Sequence, residues 1–333
     1  MYQQWPSETP LTLVFSLIKS VKYLFYSRKK NLSFIEAHFK KLFNLEIAVM
    51  PSGRSAIYYF ASCMKMSRTN TVLINKYSSY CMYQSLGTLL NVSTDYFNPD
   101  FVVIDHKWGY ENLDPRQIRQ KIVLEDSCDS YILTSDALFP NGGQVEIVSL
   151  SKVLGTLSGA IIIFKNGSLK HQYMESIKVK NRFRGRIQFV RKCNRIIFYK
   201  FIKTPLQDEF HNNFITKAEL SMIRCVLELY TSNFIQQKAR IEQVHELLDI
   251  KISEKKRLGP GIVLKINSEL SNSQEESFPS GMILRHFDIS KSNGSNGHFE
   301  KCLYVPTHFK IPNNLFNHYL EFIRLNKSQL NIV

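Results

Sequence analysis

Lys152 lies in a turn between two apolar segments, Val145–Leu150 and Ala160–Phe164. Both segments read as buried strands, because they are short and rich in β-branched residues. An unpaired ammonium buried at such a place costs free energy, so a lysine there usually has a shifted pKa or a chemical role. This stretch alone is equally compatible with a lysine on a strand-to-helix turn whose amine lies in water.

A glycine turn with the sequence PSGRS follows another strand candidate, Ile47–Met50, and leads into a predicted helix. The backbone N–H groups of Gly53, Arg54 and Ser55 could therefore hold a phosphate at the N-terminus of that helix. Glycine-rich turns between a strand and a helix are common. The turn by itself is not diagnostic.

Asp126 and His106 follow two further strand candidates, and Ser149 precedes Lys152 by three residues. Asp126 could equally be a helix N-cap, and a lone histidine at a strand end is more often structural than catalytic. Together, however, the set fits pyridoxal phosphate (PLP). This cofactor needs a lysine for its Schiff base, a carboxylate against its ring nitrogen and donors for its phosphate.

Serine acyl-enzymes of the penicillin-binding type also use a Ser-x-x-Lys motif. They combine it with Ser-Asp-Asn and Lys-Thr-Gly, and neither tripeptide occurs in this chain. In those enzymes the serine begins a helix, whereas Ser149 ends a predicted strand. The acyl-enzyme interpretation is therefore disfavoured.

Short apolar strands alternate with amphipathic helices over the first half of the chain. The strand candidates are Ile47–Met50, Thr71–Ile74, Phe101–Ile104, Lys121–Leu124, Val145–Leu150 and Ala160–Phe164. This alternation predicts an α/β fold with a mainly parallel sheet covered by helices, whose strand ends collect ligands. Ser33 and Glu36 have the spacing of a capping box and predict a helix start. We expect a helical segment (1–44), a large domain (45–203) and a smaller C-terminal α+β domain (204–333).

The composition is that of a globular chain, with 333 residues and 44% hydrophobic residues. Six cysteines occur without CxxC or Cys/His ligand spacing, which predicts reduced thiols and no metal site. The apolar run at 11–18 is too short to span a bilayer and is followed by Lys19 and Lys22. We therefore expect a cytoplasmic protein whose N-terminal helix packs on the body or rests on a membrane surface.

The net charge of +15 predicts anionic partners. All ten charged side chains between Lys178 and Lys203 are basic. This run could line the pocket of a phosphorylated substrate, contact an acidic membrane as a peripheral element, or be a solvated helix face. No helix-turn-helix, zinc-finger or RNP-like pattern favours nucleic acid as the partner, and we expect none.

The order of these motifs resembles the DegT/StrS-type sugar aminotransferase family, which are PLP-dependent enzymes of fold type I. The resemblance covers residues 33–245 and returns near the C-terminus. It is carried by the segments FIEAHFKKLFNLEIAVMPSGRSAI, VLINKYSSYC, VVIDHKWGYENLD, IVLEDSCDS, VSLSKVLGTLSGAII and LYVPTHFKIP. It implies that Lys152 forms the Schiff base and that Asp126 is the partner of the pyridinium nitrogen.

The resemblance also implies a set of cofactor-binding residues. These are Gly53, Arg54, Ser55, Tyr80, His106, Asp126, Ser149, Lys152 and Asn213. Either Tyr77 or Tyr80 would stack on the ring, and HNNFITKAEL resembles the segment that reaches into the neighbouring subunit's site. A homodimer is therefore expected.

The function implied by the resemblance is transamination of a nucleotide-linked ketosugar, with L-glutamate as the amino donor, in polysaccharide or glycoconjugate synthesis. Retention of Lys152 favours this reaction, because family members that perform dehydration lack the lysine. Departures from the family concern Leu157-Ser158-Gly159, where Glu-Gly-Gly is usual, and Ile215, where an arginine is common. The alternative is a catalytically silent protein of the same fold that binds an anionic partner through its basic face.

Overall fold

The computed structural model describes residues 18–76, 78–95, 98–111, 121–177, 182–197, 213–249, 256–267, 278–288 and 299–332. Tyr77, one of the two candidate ring stackers, lies outside these residues. So do the two ends of the basic run, 178–181 and 198–203.

A seven-stranded sheet forms the centre of the first half of the chain, with the strand order β1-β8-β7-β5-β4-β2-β3. The strands of this half are β1 (Glu46–Met50), β2 (Thr71–Leu73), β3 (Asn91–Ser93), β4 (Phe101–Asp105), β5 (Ile122–Asp126), the separate short β6 (Tyr131–Ile132), β7 (Val145–Val148) and β8 (Ala160–Phe164). The pairs from β3 through β2, β4 and β5 to β7 are parallel, while β8 runs antiparallel to both β7 and β1. The predicted mainly parallel α/β sheet is confirmed.

All six predicted strands occur in this sheet, with small shifts at their ends. The strand predicted for Val145–Leu150 ends at Val148, because residues Leu150–Val153 form one helical turn. Strand β3 was not predicted, since its three residues (Asn-Val-Ser) are partly exposed at the edge of the sheet and carry no apolar run.

Helices pack on both faces of this sheet, and others lie in the C-terminal part of the chain. They are α1 (Arg28–Phe43), α2 (Gly53–Cys63), α3 (Tyr80–Gly87), α4 (Leu150–Val153), α5 (Gly167–Ser176), α6 (Arg182–Ile197), α7 (Lys217–Glu228), α8 (Tyr230–Leu247) and α9 (Asn313–Leu325). The helix start predicted at Ser33 is wrong, because α1 begins at Arg28 and its N-cap, Ser27, accepts the Lys30 N–H. A capping box does occur at α7, between Thr216 and Glu219. Among the described helices none is long and apolar enough to cross a membrane.

The two largest clusters of the apolar core lie on opposite faces of the seven-stranded sheet. Ile161 belongs to the cluster that includes α1 and α7, and Ile162 belongs to the cluster that includes α2. Successive residues of β8 thus point to opposite faces and are all buried. This explains why the strand reads as an uninterrupted apolar run.

A second, antiparallel sheet lies in the C-terminal part of the chain, in the order β11-β12-β10-β13. The strands of this sheet are β10 (Gly261–Ile266), β11 (Ile283–Asp288), β12 (Phe299–Pro306) and β13 (Leu330–Ile332). The short strand β9 (Arg257–Leu258) precedes them. Strand β9 pairs with β6. The two larger sheets fall within the ranges 45–203 and 204–333, and the division into those domains stays a prediction.

Candidate active site

Several of the predicted site residues come together at the carboxyl ends of β5 and β7, which are neighbours in the sheet. Asp126 is the last residue of β5, and Lys152 lies in α4, directly after β7. The start of α2 reaches the same place. A Cβ atom on Gly53 would lie 2.5 Å from the Cys128 Sγ, so only glycine allows this approach.

The amine of Lys152 contacts a carboxylate that the sequence did not single out. Its Nζ lies 2.5 Å from the Asp129 Oδ1, and the two side chains are 30% and 16% exposed. Burial is the largest single effect and would lower the pKa of Lys152, but the charge and hydrogen bond of Asp129, together with the nearby Cys128 and Cys81, outweigh it and the pKa is raised. A signal for Asp129 was available, because it follows Asp126 by three residues in the same turn.

Asp126 accepts the backbone N–H of Cys128 at 2.9 Å. Burial raises the pKa of Asp126, while the hydrogen bonding at Cys128 and the charge of Lys152 act in the opposite direction. A cation held against this carboxylate would favour its ionised form further. Asp126 is therefore suited to face a positively charged ring nitrogen.

A second unpredicted carboxylate, Asp105, lies beside Asp126 in the parallel register of β4 and β5. Its Oδ2 accepts the Ser78 hydroxyl at 2.5 Å, and its buried Oδ1 has no hydrogen-bond partner among the described residues. Burial and the neighbouring Asp126 raise the pKa of Asp105. Asp105 comes directly after the apolar segment Phe101–Ile104, and this position was the available signal.

Hydroxyl groups and helix N–H groups lie at the other side of this edge. The Ser52 side chain caps α2 by accepting the Ser55 N–H at 3.1 Å, and its Oγ lies 2.8 Å from the Ser55 Oγ. The Oγ of Ser149, at the end of β7, lies 2.9 Å from the Ser151 Oγ. A helix N-terminus with nearby hydroxyls is a favourable environment for a phosphate. Arg54 is partly buried in the first turn of α2.

His106 is fully buried, and its Nε2 lies 2.7 Å from the Glu125 Oε2. Because successive strand residues point to opposite faces, Glu125 holds this ring on the face away from Asp126. Burial alone would raise the pKa of Glu125, but hydrogen bonds from His106 and the Gly143 N–H lower it overall. A direct role of His106 toward the cofactor stays a prediction.

Two further candidates lie at the edge of this cluster or outside it. Tyr80 is the first residue of α3 and its side chain is 75% exposed. Asn213 precedes the capping box of α7 and is partly buried. Their cofactor-binding roles stay predictions.

The donor set fits PLP. An amine, a carboxylate on the adjacent strand end, and a helix N-terminus with serine hydroxyls are the groups that would take the aldehyde, the ring nitrogen and the phosphate, respectively. The buried Oδ1 of Asp105 has no hydrogen-bond partner among the described residues, so this edge of the sheet holds an acceptor that a bound group could satisfy.

His308 hydrogen-bonds the turn that carries Lys152, and its burial should lower the stability of the protein at acidic pH. Its Nε2 donates to the Val153 carbonyl and its Nδ1 accepts the Lys310 N–H, both at 3.1 Å, so the ring is neutral. Burial lowers the pKa of His308 to about 3. The unfolded chain binds a proton here below about pH 6.5 and the folded chain does not, so stability falls as the pH drops from about 6.5 toward 3.

At pH 5 this single group should cost about 2 kcal/mol of unfolding free energy relative to pH 7. Urea unfolding at both pH values checks this, because His308→Gln should lose that part of the difference. The exposed His171, replaced by Gln, is the control and should leave the pH dependence unchanged. An identical pH dependence in His308→Gln and wild type would contradict the assignment.

Comparisons with known proteins agree with this geometry. A family model described as "Putative PLP-dependent aminotransferase" matches residues 35–326. A search of curated protein sequences gives no match.

Similar solved structures include three aminotransferases. For the sugar aminotransferase CalS13 from Micromonospora echinospora, the TM-score is 0.63 at 11% identity, covering 98% of this chain and 100% of that one. For a DegT DnrJ EryC1 StrS aminotransferase from Brucella abortus, the TM-score is 0.62 at 10% identity, covering 95% of this chain and 95% of that one. For DesI, solved in the presence of its TDP-sugar product, the TM-score is 0.62 at 11% identity, covering 90% of this chain and 85% of that one.

Identities this low show a shared fold, so the fold of PLP-dependent transferases of type I, predicted from the motif order, is confirmed. The family model adds the cofactor and the reaction class. Because it matches most of the chain, the protein belongs to the family of PLP-dependent aminotransferases.

Proposed function

We propose that this aminotransferase acts on a nucleotide-linked ketosugar, takes its amino group from L-glutamate, and serves the synthesis of a polysaccharide or glycoconjugate. The observation that carries the proposal is the arrangement at the strand ends, where the amine of Lys152 meets carboxylates beside the N-terminus of α2. The motif resemblance supports a sugar as the acceptor, as does the structural similarity to the sugar aminotransferase CalS13 and to DesI, which was solved with its TDP-sugar product.

Each residue has a role that follows from its chemistry. When bound, PLP supplies an electron sink for the carbanion of the substrate. The Asp126 carboxylate would keep the ring nitrogen protonated, and the N–H groups of Gly53, Arg54 and Ser55 would bind the phosphate with the Ser149 hydroxyl. Lys152, once released, would move a proton between the substrate Cα and the cofactor C4′ as base and then as acid.

The basic run supplies candidate contacts to a diphosphate. Within α6, Arg186 and Arg191 are exposed, while the buried Lys192 has its Nζ 3.8 Å from the Glu219 Oε1. The three basic side chains that the structure describes are therefore divided between an inward ion pair and outward charges. We propose that the outward charges attract the nucleotide of the acceptor, with peripheral contact to an acidic membrane as the competing role.

We also propose a homodimer, in which Asn213 would reach the site of the partner subunit. This arrangement would complete a site in which Tyr80 is exposed. Analytical ultracentrifugation of the purified protein tests the oligomeric state directly.

A donor and acceptor screen tests the function. The purified protein with PLP should be yellow, lose this colour on borohydride reduction, and change its absorbance when L-glutamate is added. Ketosugar nucleotides should restore the first spectrum as they are aminated. A protein that stays colourless with PLP would favour the catalytically silent alternative, and restoration by a keto acid without a sugar would contradict the sugar acceptor.

Asp126→Asn should lower turnover by about a hundredfold or more, because the amide cannot keep the ring nitrogen protonated. The phosphate-binding groups remain, so part of the cofactor should stay bound. Turnover and absorbance are measured together, with Asp136→Asn as the control, since Asp136 pairs with Lys256 at the surface. Near-normal turnover in Asp126→Asn would assign another role to the carboxylate.

A further inference from the structure

The turn that follows β5 holds Asp129 in a fixed place. The Ser130 N–H donates to the Ser127 carbonyl at 2.9 Å, and the Ser130 hydroxyl donates to the His106 carbonyl at 2.7 Å. On the other side, Cys128 packs against Gly53. The turn therefore already fixes the position of the Asp129 carboxylate, and little conformational freedom is lost when it contacts Lys152.

The turn that carries Lys152 is held equally well. The Lys152 N–H donates to the Ser149 carbonyl at 3.1 Å, the Ser151 N–H donates to the Gly159 carbonyl at 3.1 Å, and His308 holds the Val153 carbonyl. The Nζ–Oδ1 distance of 2.5 Å thus joins two rigid turns across neighbouring strands. A charge-assisted contact between ordered and largely buried groups is strong and directional.

The surroundings of the pair are mainly acidic or neutral. Among the described residues, the titratable and charged groups that interact with Lys152, Asp129 or their carboxylate neighbours are Asp126, Cys128, Cys81, Tyr83, Asp105, Tyr304 and Lys107. Of these, only Lys107 carries a positive charge, and it acts on Asp105. The ammonium of Lys152 is therefore the cation around which these groups are arranged.

We propose that Asp129 is a positioning residue that holds the amine of Lys152 as an ammonium ion and so keeps it unreactive until this contact is broken. The proposal rests on the proposed function of Lys152. An amine attacks a carbonyl carbon only in its neutral form, so a carboxylate that stabilises the ammonium controls when Lys152 is a nucleophile.

The reactivity of Lys152 toward acetic anhydride tests the proposal without cofactor or turnover. The full-length protein, freed of cofactor with hydroxylamine, is labelled at pH 8, and peptide mass spectrometry compares Lys152 with the exposed Lys165. In Asp129→Asn the relative labelling of Lys152 should rise at least about tenfold, because the loss of the carboxylate favours the neutral amine. Asp129→Glu should restore most of the protection, and Asp136→Asn should change nothing.

A second readout uses the protein with its cofactor. The midpoint of the pH-dependent visible absorbance should fall by about one pH unit or more in Asp129→Asn. Circular dichroism confirms the fold of each variant, and Asp129→Ser replaces Asp129→Asn if the latter is unfolded. Unchanged labelling in a folded variant would overturn the proposal. A wild-type protein that binds no PLP would overturn the proposed function and leave the labelling result valid.

Discussion

Replacing Lys152 with alanine should reduce turnover by at least about a thousandfold and should remove the pyridoxyl label that borohydride leaves on the wild-type protein. The amine serves both as the covalent attachment point and as the proton carrier, and no water molecule replaces both roles. Peptide mapping after reduction should locate the label of the wild type on Lys152.

A lysine near the same turn makes this experiment selective. The Nζ of Lys310 donates to the Gly155 carbonyl, three residues after Lys152. A label on Lys310 in the wild type would therefore show that Lys310, and not Lys152, forms the Schiff base. The exposed Lys165, replaced by alanine, is the matched control from the same segment and should retain label and turnover.

Replacing Arg257 with leucine should lower the free energy of unfolding by roughly 3–5 kcal/mol. Arg257 and Glu146 are almost completely buried, and the Arg257 Nη1 lies 2.6 Å from the Glu146 Oε1. The same guanidinium donates to the Ser127 hydroxyl and to the Ala137 carbonyl. Its removal leaves a carboxylate buried without its countercharge, which is more costly than the loss of one hydrogen bond.

Urea unfolding measures this effect, with Lys256→Leu as the control. Lys256 is the preceding residue and pairs with Asp136 at the surface, so its replacement should cost no more than about 1 kcal/mol. The double variant with Glu146→Gln should be less destabilised than the sum of the two single variants, because the uncompensated charge is gone. A loss below 1 kcal/mol in Arg257→Leu would show that the pair contributes little. Turnover should also decrease in Arg257→Leu, because Arg257 donates to the Ser127 hydroxyl and Ser127 directly follows Asp126.

The chain order of apolar runs and turn residues determined the main elements by itself. Residues such as Ala160–Phe164 read as a strand because their burial on both faces requires an unbroken apolar segment. The order of Gly53, Asp126 and Lys152 along the chain was enough to predict that these residues lie close together, because the strands before them end at one edge of the sheet. These signals are local in sequence, and a single chain displays them.

Only the tertiary structure decided which charged groups meet. Asp129 contacts Lys152 across 23 residues, and Arg257 contacts Glu146 across 111 residues. Neither pair leaves a periodic pattern, since the energy of an ion pair depends on distance and burial and not on sequence spacing. The antiparallel direction of β8 and the exposed edge strand β3 were likewise fixed by packing. The helix start expected at Ser33 failed because Ser27 offered a competing cap six residues earlier, and the buried side chains of α1 extend the helix to it.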